Sequence, residues 1–192
     1  GSLDADRMRA HWKFMSPSVG GFLVPGSTGD GWEMTAAEIA GLLEKALDLG
    51  AELNVRLLVG VLKTDAGAVK QSIGETLEML KNRTGESDAV EALRKSRVCG
   101  FTVCPPSGAE LKTEQIRDAL ASVLDLGLPV ALYNLPQVTK NEISPAVMAD
   151  LAGRYPNFIL LKDTSGNDRL ASADKGSSGV FLVRGAEGKY AD

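Results

Sequence analysis

Short apolar runs recur along the chain, and the segments between them carry apolar residues three and four positions apart. Gly21–Val24, Arg56–Val61, Val98–Val103, 129–133, 158–162 and 180–184 are each four to six residues long and mostly aliphatic. Most are bounded by Gly, Pro, Asn or Asp, the pattern of buried strands. The intervening segments follow a helical period. Residues 3–14 predict a helix stopped near Ser16-Pro17. Thr35 and Glu38 form a capping box for a helix with Ile39, Leu43 and Ala46 on one face, and Gly50 stands where a C-terminal cap belongs. A helix from about Asp65 carries Val69, Ile73, Leu77 and Leu80. Thr113 is expected to cap the next, with Ile116, Leu120 and Val123, ending at Gly127. Ser144-Pro145 opens another, as an N-cap followed by proline at the first helical position. A short helix over 168–173 precedes the last run. Residues 82–97 are polar; NRTGES predicts a loop, and Asp88 with Glu91 a second capping box. This stretch reads as an insertion of no assignable function.

Strands apolar on both faces, alternating with helices six times over, predict a parallel sheet covered by helices. A doubly wound open sheet and a (β/α)8 barrel both satisfy the pattern. Such a barrel runs to about 250 residues and eight strands, against 192 residues and six strands here. The chain also stops abruptly at Tyr190-Ala191-Asp192. The expectation is therefore a single domain over residues 1–192, an excerpt lacking the first and last strands.

Composition narrows the partners. A formal net charge of −4, with no basic run, argues against a nucleic-acid footprint. No apolar segment approaches the roughly 20 residues that span a bilayer, and the N-terminus lacks the apolar stretch of a signal peptide. A cytoplasmic location is expected. Cys99 and Cys104 stand five apart on one strand, about 16 Å by strand rise. They point to opposite faces and lie beyond the roughly 7 Å limit of a disulfide. The sole histidine, His11, lies in a helical stretch beside Trp12 and reads as a packing or surface residue. Any catalysis then falls to Lys, Tyr, Ser, Thr or carboxylates.

Two of the apolar runs end in chemically useful residues. Lys162 follows Phe158-Ile159-Leu160-Leu161. Apolar surroundings disfavour an ammonium, and a neutral amine attacks a ketone or aldehyde to give an iminium, an electron sink for the adjacent C–C bond. Tyr133 ends the preceding run. Alternation puts Ala131 with Tyr133 on one face, and Phe158, Leu160 and Lys162 together on one face. If those faces coincide, a phenol able to shuttle protons sits beside the amine. A core tyrosine and a lysine reaching solvent are the plainer readings of the same residues. The third feature is Gly26-Ser27-Thr28-Gly29-Asp30, where glycines flank two hydroxyls in a loop that can approach an anion closely. It is not a Walker loop, because no Gly-Lys-Ser/Thr follows.

Together GSTGDG, YNLPQVT and LLKDTSG resemble the dihydrodipicolinate synthase / N-acetylneuraminate lyase family of class I pyruvate aldolases, over about residues 20–188. The resemblance implies a (β/α)8 TIM barrel, of which this chain carries about six strands, and a homotetramer. It implies a carbon–carbon lyase acting on small 2-oxo acid and aldehyde substrates, with no metal, cofactor, nucleic-acid or membrane partner. Lys162 would form the Schiff base and Tyr133 would shuttle protons, with Ser27 in the relay. Thr28 and Gly29 would hold the keto-acid carboxylate, Gly185 would lie near the pyruvate methyl, and Thr164 would line the pocket for the aldehyde partner. Two positions depart from the synthases. Ser107, in CPPSG, stands where they carry a tyrosine reaching the neighbouring subunit's site, and Val138 where they carry an arginine that grips the second substrate's carboxylate. Loss of that bidentate contact favours a lyase or aldolase. The synthase and a non-catalytic keto-acid-binding relative are the alternatives.

Overall fold

The computed structural model describes residues 3–185 and Gly188; Tyr190-Ala191-Asp192 lie outside the described residues. The strands β1 (Gly21–Val24), β2 (Arg56–Val61), β3 (Val98–Val103), β4 (Val130–Asn134), β5 (Phe158–Asp163) and β6 (Phe181–Arg184) follow one another in chain order in the sheet. The pairs β1–β2, β4–β5 and β5–β6 are parallel. Helix α1 (Ala5–Met15) precedes β1, and between the strands run α2 (Ala36–Leu53), α3 (Ala66–Thr84), α4 (Ala89–Lys95), α5 (Thr113–Leu124), α6 (Pro136–Thr139) and α7 (Pro145–Arg154). By Cα packing the chain forms two compact units. One comprises the residues up to Leu62 with Ile73–Phe101, the other Lys63–Ser72 with the residues from Thr102 on.

In the first unit α1 is anchored by Trp12, which is buried and stacks on Phe22 of β1 with ring centroids 4.2 Å apart. The Thr35–Glu38 capping box forms as expected. Hydrogen bonds from the Thr35 backbone N–H and then its hydroxyl hold the Glu38 carboxyl below the usual carboxylate range. The end of α2 differs from expectation. Gly50 is buried within the helix, which continues to Leu53 and is closed by Asn54 at φ 56. Asparagine tolerates the left-handed conformation, so the cap is four residues beyond the glycine that advertised it. Gly60 has a different purpose: a Cβ there would run into the carbonyl oxygen of Pro25, so only glycine lets β2 pass the turn after β1.

The segment expected as a loop at NRTGES is shorter than read. Helix α3 continues through Thr84, whose hydroxyl donates to the Leu80 carbonyl 2.8 Å away. The predicted α4 is present, with the Asp88 carboxylate accepting from the Glu91 N–H at 2.9 Å. Glu91 itself turns to Arg94, so only half of the second capping box forms.

In the second unit α5 begins at Thr113 but its N-cap is Lys112, whose N–H donates to Gln115 Oε1 at 2.9 Å. The α7 start is as expected, Ser144 Oγ accepting from the Val147 N–H at 3.2 Å ahead of Pro145. No helix forms over 168–173, where the chain makes successive turns. The apolar residues there, Leu170 and little else, cannot sustain a buried helical stripe. Strand β4 is buried along its whole length, with Val130, Ala131 and Leu132 at 0% exposure.

The register between β4 and β5 decides which face carries the chemistry. Val130 aligns with Phe158, but Ala131 aligns with Leu160, so β5 holds one extra residue at Ile159. A bulge of this kind reverses the alternation on either side of it. Phe158 therefore does not share the face of Leu160 and Lys162, contrary to simple alternation. It is buried and lines a groove with Ala149 and Ala152 of α7. Beyond the bulge Leu132, Tyr133 and Asn134 align with Leu161, Lys162 and Asp163.

Candidate active site

Because Tyr133 and Lys162 are register partners on parallel strands, their side chains leave the sheet on the same side. The faces left open by sequence do coincide. The Lys162 ammonium lies over the Tyr133 ring, 4.3 Å from its centroid, and the tyrosine is 4% exposed. A cation so placed is attracted by the ring's negative face, which favours the amine's position beside the phenol. Lys162 is half-buried.

Gly185 closes this cluster from the other side. A Cβ there would collide with Thr164 Cγ2 and lie 2.9 Å from Lys162 Cε. The missing side chain is what lets the lysine stem pass. The Gly185 N–H donates to the Asp163 carbonyl at 2.7 Å, fixing the approach. Thr164 turns its methyl to that glycine, while its N–H and hydroxyl both donate to the Asn134 carbonyl, at 3.0 and 2.8 Å. The Thr164 hydroxyl proton is thus committed to the backbone, and what it offers a ligand is acceptor capacity.

Behind the pair is a buried polar cluster with no signal in the sequence. Asn134 is fully buried and Asp163 is 9% exposed. Asn134 Nδ2 donates to Asp163 Oδ1 at 2.9 Å, and Asn134 Oδ1 accepts from the Ile143 N–H at 3.0 Å. Asp163 Oδ1 also accepts from the Ser165 N–H at 2.9 Å. Cys104, expected on the same strand as Cys99, lies just after β3, close to this cluster, a place its sequence position did not announce. It is buried, and desolvation pushes its thiol up to about 12, only partly opposed by the positive charge of Lys162. It stays protonated at neutral pH and is no nucleophile. Cys99 and Cys104 are both free.

The remaining candidates lie in the first unit. Ser27, Thr28 and Gly29 form one 3-10 turn after β1, closed by Asp30 at φ 54. The Gly29 N–H donates to the Gly26 carbonyl at 3.2 Å, and the Gly31 N–H to the same oxygen at 3.1 Å. Ser27 Oγ accepts from the Trp32 indole N–H at 3.0 Å, which leaves its own proton to give. Thr28 is exposed. The two positions that depart from the synthases also have defined places. Ser107 is exposed, its N–H donating to the Thr64 carbonyl at 3.2 Å. Val138 is half-buried on α6, a turn too short for sequence periodicity to announce.

Residues 1–176 match the sequence profile of the Dihydrodipicolinate synthetase family. The chain belongs to that family. It is 30% identical over 173 residues to the 4-hydroxy-tetrahydrodipicolinate synthase of Stenotrophomonas maltophilia strain R551-3, covering 87% of this chain and 50% of that protein. It is 29% identical over 157 residues to a probable 5-dehydro-4-deoxyglucarate dehydratase of Corynebacterium glutamicum strain R, covering 81% and 42%. The crystal structure of dihydrodipicolinate synthase from Aquifex aeolicus superposes with a TM-score of 0.74 at 20% identity, over 96% of this chain and 58% of that one. The fold of this family member is α/β, of the TIM-barrel type, with six of the eight strands on this chain. The chain spans about half the length of the curated relatives it matches. Among the described residues no helix is long and apolar enough to cross a membrane.

Proposed function

We propose that this chain carries the Schiff-base chemistry of a class I carbon–carbon lyase acting on pyruvate or a related 2-oxo acid. The observation that carries the reading is the register pairing of Tyr133 with Lys162, with the amine held over the phenol ring. The neutral Lys162 amine adds to the C2 carbonyl; the carbinolamine formed loses water, leaving an iminium. Electrons released when the C3–H or C3–C4 bond breaks move into the iminium to give an enamine. Tyr133 gives and takes the proton at the departing or nascent hydroxyl, with Ser27 supplying the next proton in line. Thr28 and Gly29 hold the keto-acid carboxylate. Gly185 leaves the space that the lysine and the C3 methyl need. Thr164, whose hydroxyl can still accept, lines the pocket for the aldehyde partner.

The reading extends to the whole protein, which we take to be a single barrel domain, cytoplasmic and homotetrameric. Incubation of the full-length protein with pyruvate and borohydride should add one reduced pyruvyl group to Lys162, seen by intact mass and peptide mapping. Lys162→Ala should abolish the adduct; labelling that persists in the variant would sink the assignment. The synthase is the second reading, favoured by the Stenotrophomonas relative and disfavoured by Val138, which offers no cation to a second carboxylate. Consumption of aspartate semialdehyde with pyruvate separates the two. Pyruvate binding without trapping would point instead to a keto-acid sensor.

A further inference from the structure

We infer that Asn134 and Asp163 are positioning residues that hold Tyr133 and Lys162 in reacting geometry from the opposite face of the sheet, an assignment that rests on the iminium reading above. Each is the immediate chain neighbour of one member of the pair: Asn134 follows Tyr133, and Asp163 follows Lys162. The two are themselves register partners, so alternation sends their side chains to the face away from the amine and phenol. There they are joined directly, Nδ2 to Oδ1, at 2.9 Å. The joint is braced from both strands' following segments, by the Ile143 N–H on Asn134 and the Ser165 N–H on Asp163.

The backbone of the same two residues carries the next links. The Asn134 carbonyl takes both donors of Thr164, and the Asp163 carbonyl takes the Gly185 N–H. One polar knot therefore ties the ends of β4, β5 and β6 at the level of the reacting pair. A sliding or twisting of β5 against β4 would carry Lys162 off the ring, and it would have to break a hydrogen bond buried away from water to do so. Such a bond is costly to leave unmade. Misplacement of a reacting group by about 1 Å can cost about a hundredfold in rate, so the knot acts on catalysis while touching neither substrate nor reacting atom.

Three variants test this, with borohydride-trapping rate and thermal melting read side by side. Asp163→Ala removes the joint and should lower the trapping rate about tenfold or more in a protein that still melts cooperatively. Asp163→Asn keeps an oxygen that accepts from Asn134 Nδ2 and the Ser165 N–H, and should stay within about threefold of wild type. Asn134→Asp faces two carboxylates across the joint; they share a proton at low pH and repel when both ionise. Its rate relative to wild type should be near one at pH 5 and fall by about tenfold at pH 8. Equal trapping in Asp163→Ala and wild type, or a pH-independent ratio for Asn134→Asp, overturns the assignment. Should Asp163→Ala fail to fold, the Asn134→Asp ratio decides.

A second readout needs no pyruvate: acylation of Lys162 by acetic anhydride, measured by peptide mass against the exposed Lys13. Asp163→Ala should shift that relative rate about tenfold, and an unchanged rate counts against positioning. If wild-type protein is never trapped by pyruvate, the iminium reading falls, and the acylation ratio still decides whether the knot sets the reactivity of Lys162.

Discussion

The turn after β1 and the paired ends of β4 and β5 both stand at strand ends, yet they are fastened by different means. The turn is held through its backbone: two N–H groups converge on the Gly26 carbonyl, and one side-chain bond, Trp32 to Ser27, is added. Its functional candidate Thr28 is exposed. The β4–β5 end is held through buried side chains, Asn134 to Asp163, with the chemistry on the opposite face. A backbone-held turn tolerates side-chain exchange, because its shape survives the substitution. A side-chain-held strand end does not, and damage there spreads to neighbours.

Substitutions in the two regions should therefore differ in size. The largest effect is expected from Tyr133→Phe, which leaves the ring under Lys162 and removes only the proton carrier: turnover should drop by about 10²–10⁴-fold while the pyruvate dissociation constant changes little. Steady-state kinetics with equilibrium binding checks this, and unchanged turnover removes the shuttle role. Next is Gly185→Ala. Its new methyl meets the Lys162 stem and the Thr164 side chain, and trapping should slow about a hundredfold. Thr28→Val, in the backbone-held turn, should weaken pyruvate binding about tenfold, the loss of one hydrogen bond to a charged group, with the trapping rate at saturation preserved. Equal damage to both quantities would show that the turn's shape depends on the Thr28 side chain.

The last effect is on stability rather than on chemistry, and it concerns pH. The buried Cys104 thiol is raised from the ordinary 9.0 to about 12. Its folded form thus keeps a proton that the unfolded chain releases above about 9. Its contribution to stability is complete below pH 9 and is lost as pH climbs toward 12, at no more than about 1.4 kcal/mol per pH unit. Melting temperatures of wild type and Cys104→Ala should converge over that window; parallel curves would show that burial does not hold the proton.

The sequence made the strands legible because each is a short aliphatic run between turn residues, and a parallel sheet needs both faces apolar. Three of the six observed strands have the bounds read from the pattern, Gly21–Val24, Arg56–Val61 and Val98–Val103. Helix ends were less legible. Gly50 looked like the cap of α2, but capping is decided by backbone conformation, and Asn54 supplies the left-handed residue instead. Tyr133 and Lys162 were visible as the polar ends of apolar runs. Their pairing was not, since register is a relation between strands, and the extra residue at Ile159 is invisible to a period of two. Asn134 and Asp163 escaped for the same reason: each looks like an ordinary turn residue until the other is opposite it.

That extra residue also affects how relatives of this chain should be compared. Distance along the sequence from α7 to the lysine is not a reliable ruler for the nucleophile, since one inserted residue between them changes the count without moving the amine. The dependable landmark is the stretch past the bulge, where Leu161, Lys162 and Asp163 keep step with Leu132, Tyr133 and Asn134. Alignments anchored there locate the amine by its partner across the strands, and leave the start of β5 to be set by packing under α7.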